Sequence, residues 1–320
     1  MKLVVVLAAL FATVAAVPFS KLQARQHPSP PPAESVPGSE SAPIRAEVTR
    51  VNMLFTVTDK KGRFVTDLNR DDFQVFESKK PQSILEFTSE TDLPLRLAIL
   101  IDTSNSIRDR FRFQQEAAMN FVNSVMRSQD KAIVVSFDTA AELVADLTND
   151  TSKLETAIRG LRPGGGTALY DAIYFACRDK LMLDQPLYKF RRAMVILSDG
   201  EDNESRNSRD QALEMAQRAD TVIYTISTNN SHIETEGDKV LRYFAQETGG
   251  AAFTPFEAKD LNQSFENIAN ELRHQYNLFY RPEPLNADGK YHPVQIKVKG
   301  RKDLVVRARK GYYARKSTTT

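Results

Sequence analysis

The sequence predicts an α/β fold, a doubly wound and mostly parallel sheet, flanked by a β-sandwich-like module assembled from N- and C-terminal strands. Three observations predict it. Four near-continuous apolar runs, LRLAILI (95–101), AIVVSF (132–137), AMVILS (193–198) and TVIYTIS (221–227), have the composition of parallel strands buried on both faces. Helical periods lie between and after them, for example Ile107, Phe111, Ala118, Phe121, Val122 and Val125 on one face. Outside this stretch the pattern changes to short alternating runs, as half-buried antiparallel strands require.

In chain order, Lys2 precedes an apolar run from Leu3 to about Val17, in which the small residues Ala12, Ala15 and Ala16 suit a signal-peptidase site. Residues 1–16 are therefore expected to be a signal peptide, and the run is short for a membrane span. No transmembrane span is expected after cleavage; an uncleaved anchor is the alternative. Residues 17–44 contain QHPSPPPAESVPGSESAP (26–43), rich in Pro, Ser and Glu and poor in apolar side chains. Such a stretch cannot repay the entropy of ordering, so a flexible linker is predicted.

Residues 45–92 supply short strand-like runs broken by turns such as DKKG. The α/β segment is expected over 93–274, with further helical faces at Leu169, Ile173 and Ala176, at Ala212, Met215, Ala216 and Ala219, at Val240, Leu241 and Phe244, and at Leu261, Phe265, Ile268 and Leu272. Strands return over 275–315 in YNLFY, in a run with Val294, Ile296 and Val298 on one face, and in LVVRARKGYY; 316–320 is a tail. An α/β domain usually lets the chain enter and leave at nearby points. The two β segments are therefore expected to form one composite module with the α/β segment inserted between its halves; two separate appendages are the alternative.

The chain of 320 residues is 41% apolar and 26% charged, with a net charge of +2, so no global field draws it to nucleic acid or an anionic membrane. Its single cysteine, Cys177, cannot form an internal disulfide and sits in the apolar stretch AIYFAC, where packing is the expected role. An exported, disulfide-free chain suits a bacterial periplasmic or extracellular setting.

The first sheet strand ends in Asp102-Thr103-Ser104-Asn105-Ser106, the third in Asp199-Gly200, and a glycine-rich loop, RPGGGTALYDAI, presents Thr167 before a helix. In open α/β sheets ligands bind beyond the carboxyl ends of the strands. D-x-S-x-S followed by G-G-T and S-D-G, in this order, resembles the metal-ion-dependent adhesion site of von Willebrand factor type A domains, over about Leu95 to Leu272. The resemblance implies that Ser104, Ser106 and Thr167 act as hydroxyl ligands of one metal ion and Asp102 and Asp199 as carboxylates, direct or through water. Hard oxygen donors suit Mg²⁺ first, with Mn²⁺ or Ca²⁺ as alternatives. A protein or polymer partner offering an Asp or Glu carboxylate is expected to complete the coordination. Without the other two loops, D-T-S-N-S would read equally well as a helix N-cap.

The flanks resemble a group of bacterial exported proteins with a type A-related domain. They share a phrase running here through Asp59, Gly62, Val65, Leu68, Asp72, Phe73, Val75 and Glu77, and a terminal Lys310-Gly311-Tyr312-Tyr313.

Other chemistries find no support. The loop from Asp199 has Glu204 where a calcium-binding EF-hand needs Gly and Asp210 where it needs Glu; Glu201, Asp202 and Glu204 read as a solvated acidic rim. No nucleophile elbow, phosphate-binding loop or H-E-x-x-H is present, and the four histidines (His27, His232, His274, His292) lack zinc spacing, so no enzyme is expected. The cations from Lys290 to Lys316 alternate with apolar residues, which puts Lys297, Lys299, Arg307 and Arg309 on the wet face of strands rather than on a nucleic-acid stripe. The expected function is metal-dependent binding of an acidic group outside the cytoplasm; an envelope scaffold binding its partners independently of the metal is the alternative.

Overall fold

The computed structural model describes residues 50–89, 93–229, 231, 233–255 and 258–316, all within one compact unit spanning Glu47–Thr320. The expected signal peptide, the linker and residues 317–320 lie outside the described residues. Among the described residues no helix is long and apolar enough to cross a membrane.

Four strands come first: β1 (Val51–Asp59), β2 (Phe73–Glu77), β3 (Lys80–Gln82) and β4 (Ile84–Thr88). The α/β segment follows as β5 (Leu95–Asp102), α1 (Phe111–Val125), β6 (Lys131–Phe137), β7 (Ala141–Thr148), α2 (Thr151–Gly160), α3 (Leu169–Ala176), β8 (Arg191–Ser198), α4 (Arg209–Arg218), β9 (Thr221–Ser227), α5 (Glu236–Thr248), β10 (Ala252–Phe253) and α6 (Ala258–Arg273). Four strands close the chain: β11 (Tyr276–Tyr280), β12 (Tyr291–Val298), β13 (Leu304–Ala308) and β14 (Gly311–Tyr313).

The central sheet has the order β10-β9-β8-β5-β6-β7, parallel except for β7, which runs antiparallel to β6. β5 lies between β6 and β8, so the chain winds outward in both directions from it and leaves a crevice at its carboxyl end. Every residue of β5 is buried, and successive side chains serve opposite faces. Leu95, Leu97, Ile99 and Ile101 join a core with α1, α2 and α6, whereas Ala98 and Leu100 join one with α3, α4 and α5. Cys177 is buried in the second core, and burial pushes its thiol up to about 12, so packing is its role.

Besides the two-residue β10, two elements of the α/β segment, β7 and α2, were not singled out from the sequence. β7 is an edge strand whose residues are half-buried or exposed, so it lacks the apolar run of a central strand. α2 has only Leu154 and Ile158 fully buried, too few to mark a periodic face.

The flanking strands form two antiparallel sheets, β13-β1-β11-β4 and β14-β12-β2-β3, around a shared core that includes Met53, Phe55, Val75, Tyr276, Leu278 and Ile296. Both sheets contain strands from before and after the α/β segment. The repeated phrase has a physical explanation here. Asp59 accepts the amides of Lys61 and Arg63 at 2.8 and 3.0 Å, shaping a turn in which Gly62 has φ +77°. Glu77, buried at the end of β2, accepts the hydroxyls of Tyr280 at 2.7 Å and Tyr312 at 3.2 Å and the amide of Asn286 at 2.7 Å. The first motif and the terminal K-G-Y-Y thus meet in one hydrogen-bonded cluster.

Lys297 and Lys299 are exposed, as expected for the wet face of β12. Arg307 and Arg309 are not on a wet face. Arg307 reaches Glu271 of α6 at 2.6 Å, and Arg309 pairs with Asp220 after α4 and donates to the Asn52 carbonyl at 2.6 Å. The end of β13 and the residue after it lie against the α/β segment, so both arginines are half-buried there, while Val305 on the same face as Arg307 stays exposed. A methyl on Gly249 would lie 2.5 Å from the carbonyl carbon of Ala308, which shows how close the two backbones run.

Candidate metal centre

Asp102, the last residue of β5, is fully buried. Its Oδ1 accepts the Ser104 amide at 2.8 Å and its Oδ2 the Ser198 hydroxyl at 2.7 Å. Burial pushes its carboxyl up to about 6; the hydroxyls of Ser104 and Ser198 and the Ser104 amide oppose that rise, and the neighbouring carboxylate of Asp199 adds to it.

Ser104 is buried and Ser106 exposed, and their hydroxyls lie 2.9 Å apart. Ser104 precedes a short 3₁₀ turn (Asn105–Ile107), yet its side chain makes no capping bond, and α1 begins later, after Arg110. The N-cap reading of D-T-S-N-S is therefore not what the hydroxyls do. The two hydroxyls face each other, and that of Ser104 also faces Asp102.

The glycine loop is stitched onto this turn. Gly164 donates to the Thr103 carbonyl at 2.6 Å, and both the amide and the side chain of Asn105 donate to the Gly165 carbonyl, at 3.3 and 3.2 Å. Gly165 has φ +81°, a backbone conformation that disfavours any side chain. Thr167 is thereby buried beside the serine turn. Its amide donates to Asn203 Oδ1 at 2.9 Å, and its carbonyl accepts the amides of Asn203 and Glu204.

Asp199 follows β8, next to β5 in the sheet, and accepts the Glu201 amide at 3.1 Å. It borders a cleft of ≈ 190 Å³ together with Ser106, Ile107, Arg110, Glu201, Thr228 and Thr235. Gly200 (φ +81°) lies against Gly237 of α5, where an added methyl would come within 2.1 Å of the Asp199 carbonyl. Two glycines in contact allow α5 to approach this strand end.

All five residues singled out from the sequence thus stand at one edge of the sheet. Among the described residues no cluster of three or more His, Cys, Asp or Glu side chains suited to a metal ion occurs, and the oxygens offered beside the two carboxylates include the hydroxyls of Ser104, Ser106 and Thr167. The donor set fits a hard divalent cation, and a buried carboxylate beside a second one is an arrangement such an ion would stabilise.

Three contributors were missed from sequence. Ser198 anchors Asp102, and Asn203 anchors Thr167. Asp238 of α5 accepts Ser227 Oγ at 2.5 Å and Asn229 Nδ2 at 2.7 Å, bracing the end of β9 beside the cleft. A polar residue ending an otherwise apolar strand, as Ser198 and Ser227 do, was the available signal. The acidic loop also differs from a solvated rim. Glu201 and Glu204 are exposed, but Asp202 accepts the Tyr170 amide at 2.9 Å and the Ser205 hydroxyl at 2.7 Å, capping α3.

Residues 97–201 match the family model described as von Willebrand factor type A domain. No curated protein matches the chain. Among solved structures, a von Willebrand factor type A protein from Catenulispora acidiphila is similar at 15% identity and a TM-score of 0.49, over 70% of this chain and 67% of that one. The conserved hypothetical protein BatB from Bacteroides thetaiotaomicron is similar at 17% identity and a TM-score of 0.45, over 55% of this chain and 98% of that one. Proximal thread matrix protein 1 from the mussel byssus, described with a zinc-occupied MIDAS motif, is similar at 18% identity and a TM-score of 0.48, over 59% of this chain and 47% of that one. The match to the von Willebrand factor type A domain thus spans residues 97–201, which include all five candidate ligands.

Proposed function

We propose that this protein is an exported, non-enzymatic binding protein that holds one divalent cation, Mg²⁺ in the first instance, on Asp102, Ser104, Ser106, Thr167 and Asp199. The cation presents an open position to an Asp or Glu carboxylate of a protein or polymer partner. The observation that carries this reading is the joining of three loops around a buried carboxylate: Ser198 to Asp102, Gly164 to Thr103, and Asn105 to Gly165. Two carboxylates neutralise a divalent ion only formally and hydroxyls add no charge, so an anionic oxygen remains attracted to it. The apolar run of residues 3–17 supports export.

Thermal melting with and without Mg²⁺ or Mn²⁺ tests the cation. The wild type is expected to gain stability with saturating metal and Asp199→Ala to gain none. Capture of natural partners repeated in EDTA tests the mechanism. Capture that survives both chelation and Thr167→Ala would favour the second reading, a scaffold that binds without the metal. That reading is supported by the β module, which is fastened to the α/β segment through Arg307 and Arg309 and exceeds what a minimal adhesive domain needs.

A further inference from the structure

We propose that Glu204 is an affinity-determining residue of the cation site. Its carboxylate, folded back over Gly166 beside Thr167, adds negative charge just outside the ligand set and so raises affinity for the cation. This inference rests on the cation-binding reading above.

Glu204 is held at the site twice over. Its amide donates to the Thr167 carbonyl at 3.1 Å, which fixes its backbone. A methyl on Gly166 would lie 2.6 Å from Glu204 Cγ and 2.9 Å from its Oε1, so this exposed side chain lies over that glycine. Two other acids of the loop have different tasks, and Glu201 borders the cleft beside Asp199. Asp199 is a candidate ligand, and Asp202 is occupied by Tyr170 and Ser205. Glu204, by contrast, makes no ion pair among the described residues, and its carboxyl group lies over Gly166.

A carboxylate in that position acts through space on whatever sits beside Thr167. It attracts a cation there and opposes an incoming anion, and both effects weaken as salt screens them. The third glycine of G-G-G-T then has a reason of its own: it leaves room for Glu204.

The test is Mn²⁺ titration of the full chain by calorimetry, at low and high ionic strength, for wild type, Glu204→Gln, Gly166→Ala, the double variant and Asp199→Ala. Glu204→Gln and Gly166→Ala are each expected to raise the Mn²⁺ Kd about 2- to 5-fold at low salt, with the difference fading at high salt. The double variant should be no weaker than the weaker single, because the methyl acts by displacing Glu204. An unchanged Kd for Glu204→Gln, or a difference that persists at high salt, overturns the proposal. Should Gly166→Ala fail to fold, the exposed Glu204→Gln decides alone. Mn²⁺ bound by the wild type, lost in Asp199→Ala and unchanged in Glu204→Gln sinks this inference and leaves the cation reading standing. No binding by the wild type sinks both.

Discussion

The hydroxyl of Ser198 donates to the Asp102 carboxylate at 2.7 Å, tying the end of β8 to the end of β5 under the candidate cation site. Both residues are fully buried, so neither finds water as a substitute partner. Ser198→Ala leaves one carboxylate oxygen without this bond and is expected to cost about 2 kcal/mol. Melting in EDTA measures the loss, and a variant that melts with the wild type would show the bond to be dispensable.

Gly237→Ala forces a methyl to within 2.1 Å of the Asp199 carbonyl, so backbone must move at the strand end that carries a candidate ligand. Overpacking of this kind costs roughly 1–3 kcal/mol. The gain in melting temperature on adding Mn²⁺ should shrink as well. Gly160→Ala at the end of α2 is the control: nothing lies within 4 Å of the added methyl, and stability should hold or rise by up to about 1 kcal/mol.

Glu271 is buried between the α/β segment and the β module, where it accepts Arg307 at 2.6 Å and Thr56 at 3.4 Å. Burial raises its carboxyl above the ordinary range, and Arg307 opposes the rise. Removing the cation in Arg307→Leu strands a buried carboxylate and should cost on the order of 3 kcal/mol. Glu271→Gln in that background should recover part of the loss. Urea unfolding of the two variants checks this, and equal midpoints would mean that Arg307 acts through packing alone.

Burial pushes the Asp238 carboxyl up, but hydrogen bonds from Ser227, Thr235 and Asn229 outweigh it and hold the group below its ordinary value of 3.8. An acid depressed by folding stabilises the native state above its unfolded pKa, and that contribution fades as pH falls through the folded pKa. Asp238→Asn should therefore melt below the wild type at pH 7, with the gap closing under about pH 4. A gap that stays constant with pH would show that charge at Asp238 is irrelevant.

Much of the fold is legible in the sequence because burial on two faces leaves a one-dimensional trace. The runs at 95–101, 132–137, 193–198 and 221–227 correspond to β5, β6, β8 and β9. β7 and α2 left little trace because an edge strand and a shallow helix bury too few side chains to impose a pattern. The arginines of β13 misled for a related reason. Alternation tells which residues share a face, and Arg307, near the end of its strand, meets a second packed body there.

By itself the sequence determined the chemistry on offer: two strand ends and a glycine-rich loop carrying Asp102, Asp199 and three hydroxyls, in an order that matches a known family. What only the tertiary structure decided is how those groups are held. Ser198, Asn203 and Gly237 bear on the site from the end of β8, the loop after it and α5, and apart from the polar end of an apolar strand at Ser198 they carry no local signature. The reason is physical. Periodicity and composition record how each residue partitions between water and core, whereas a hydrogen bond across 96 positions of chain, such as Ser198 to Asp102, depends on which strands lie side by side.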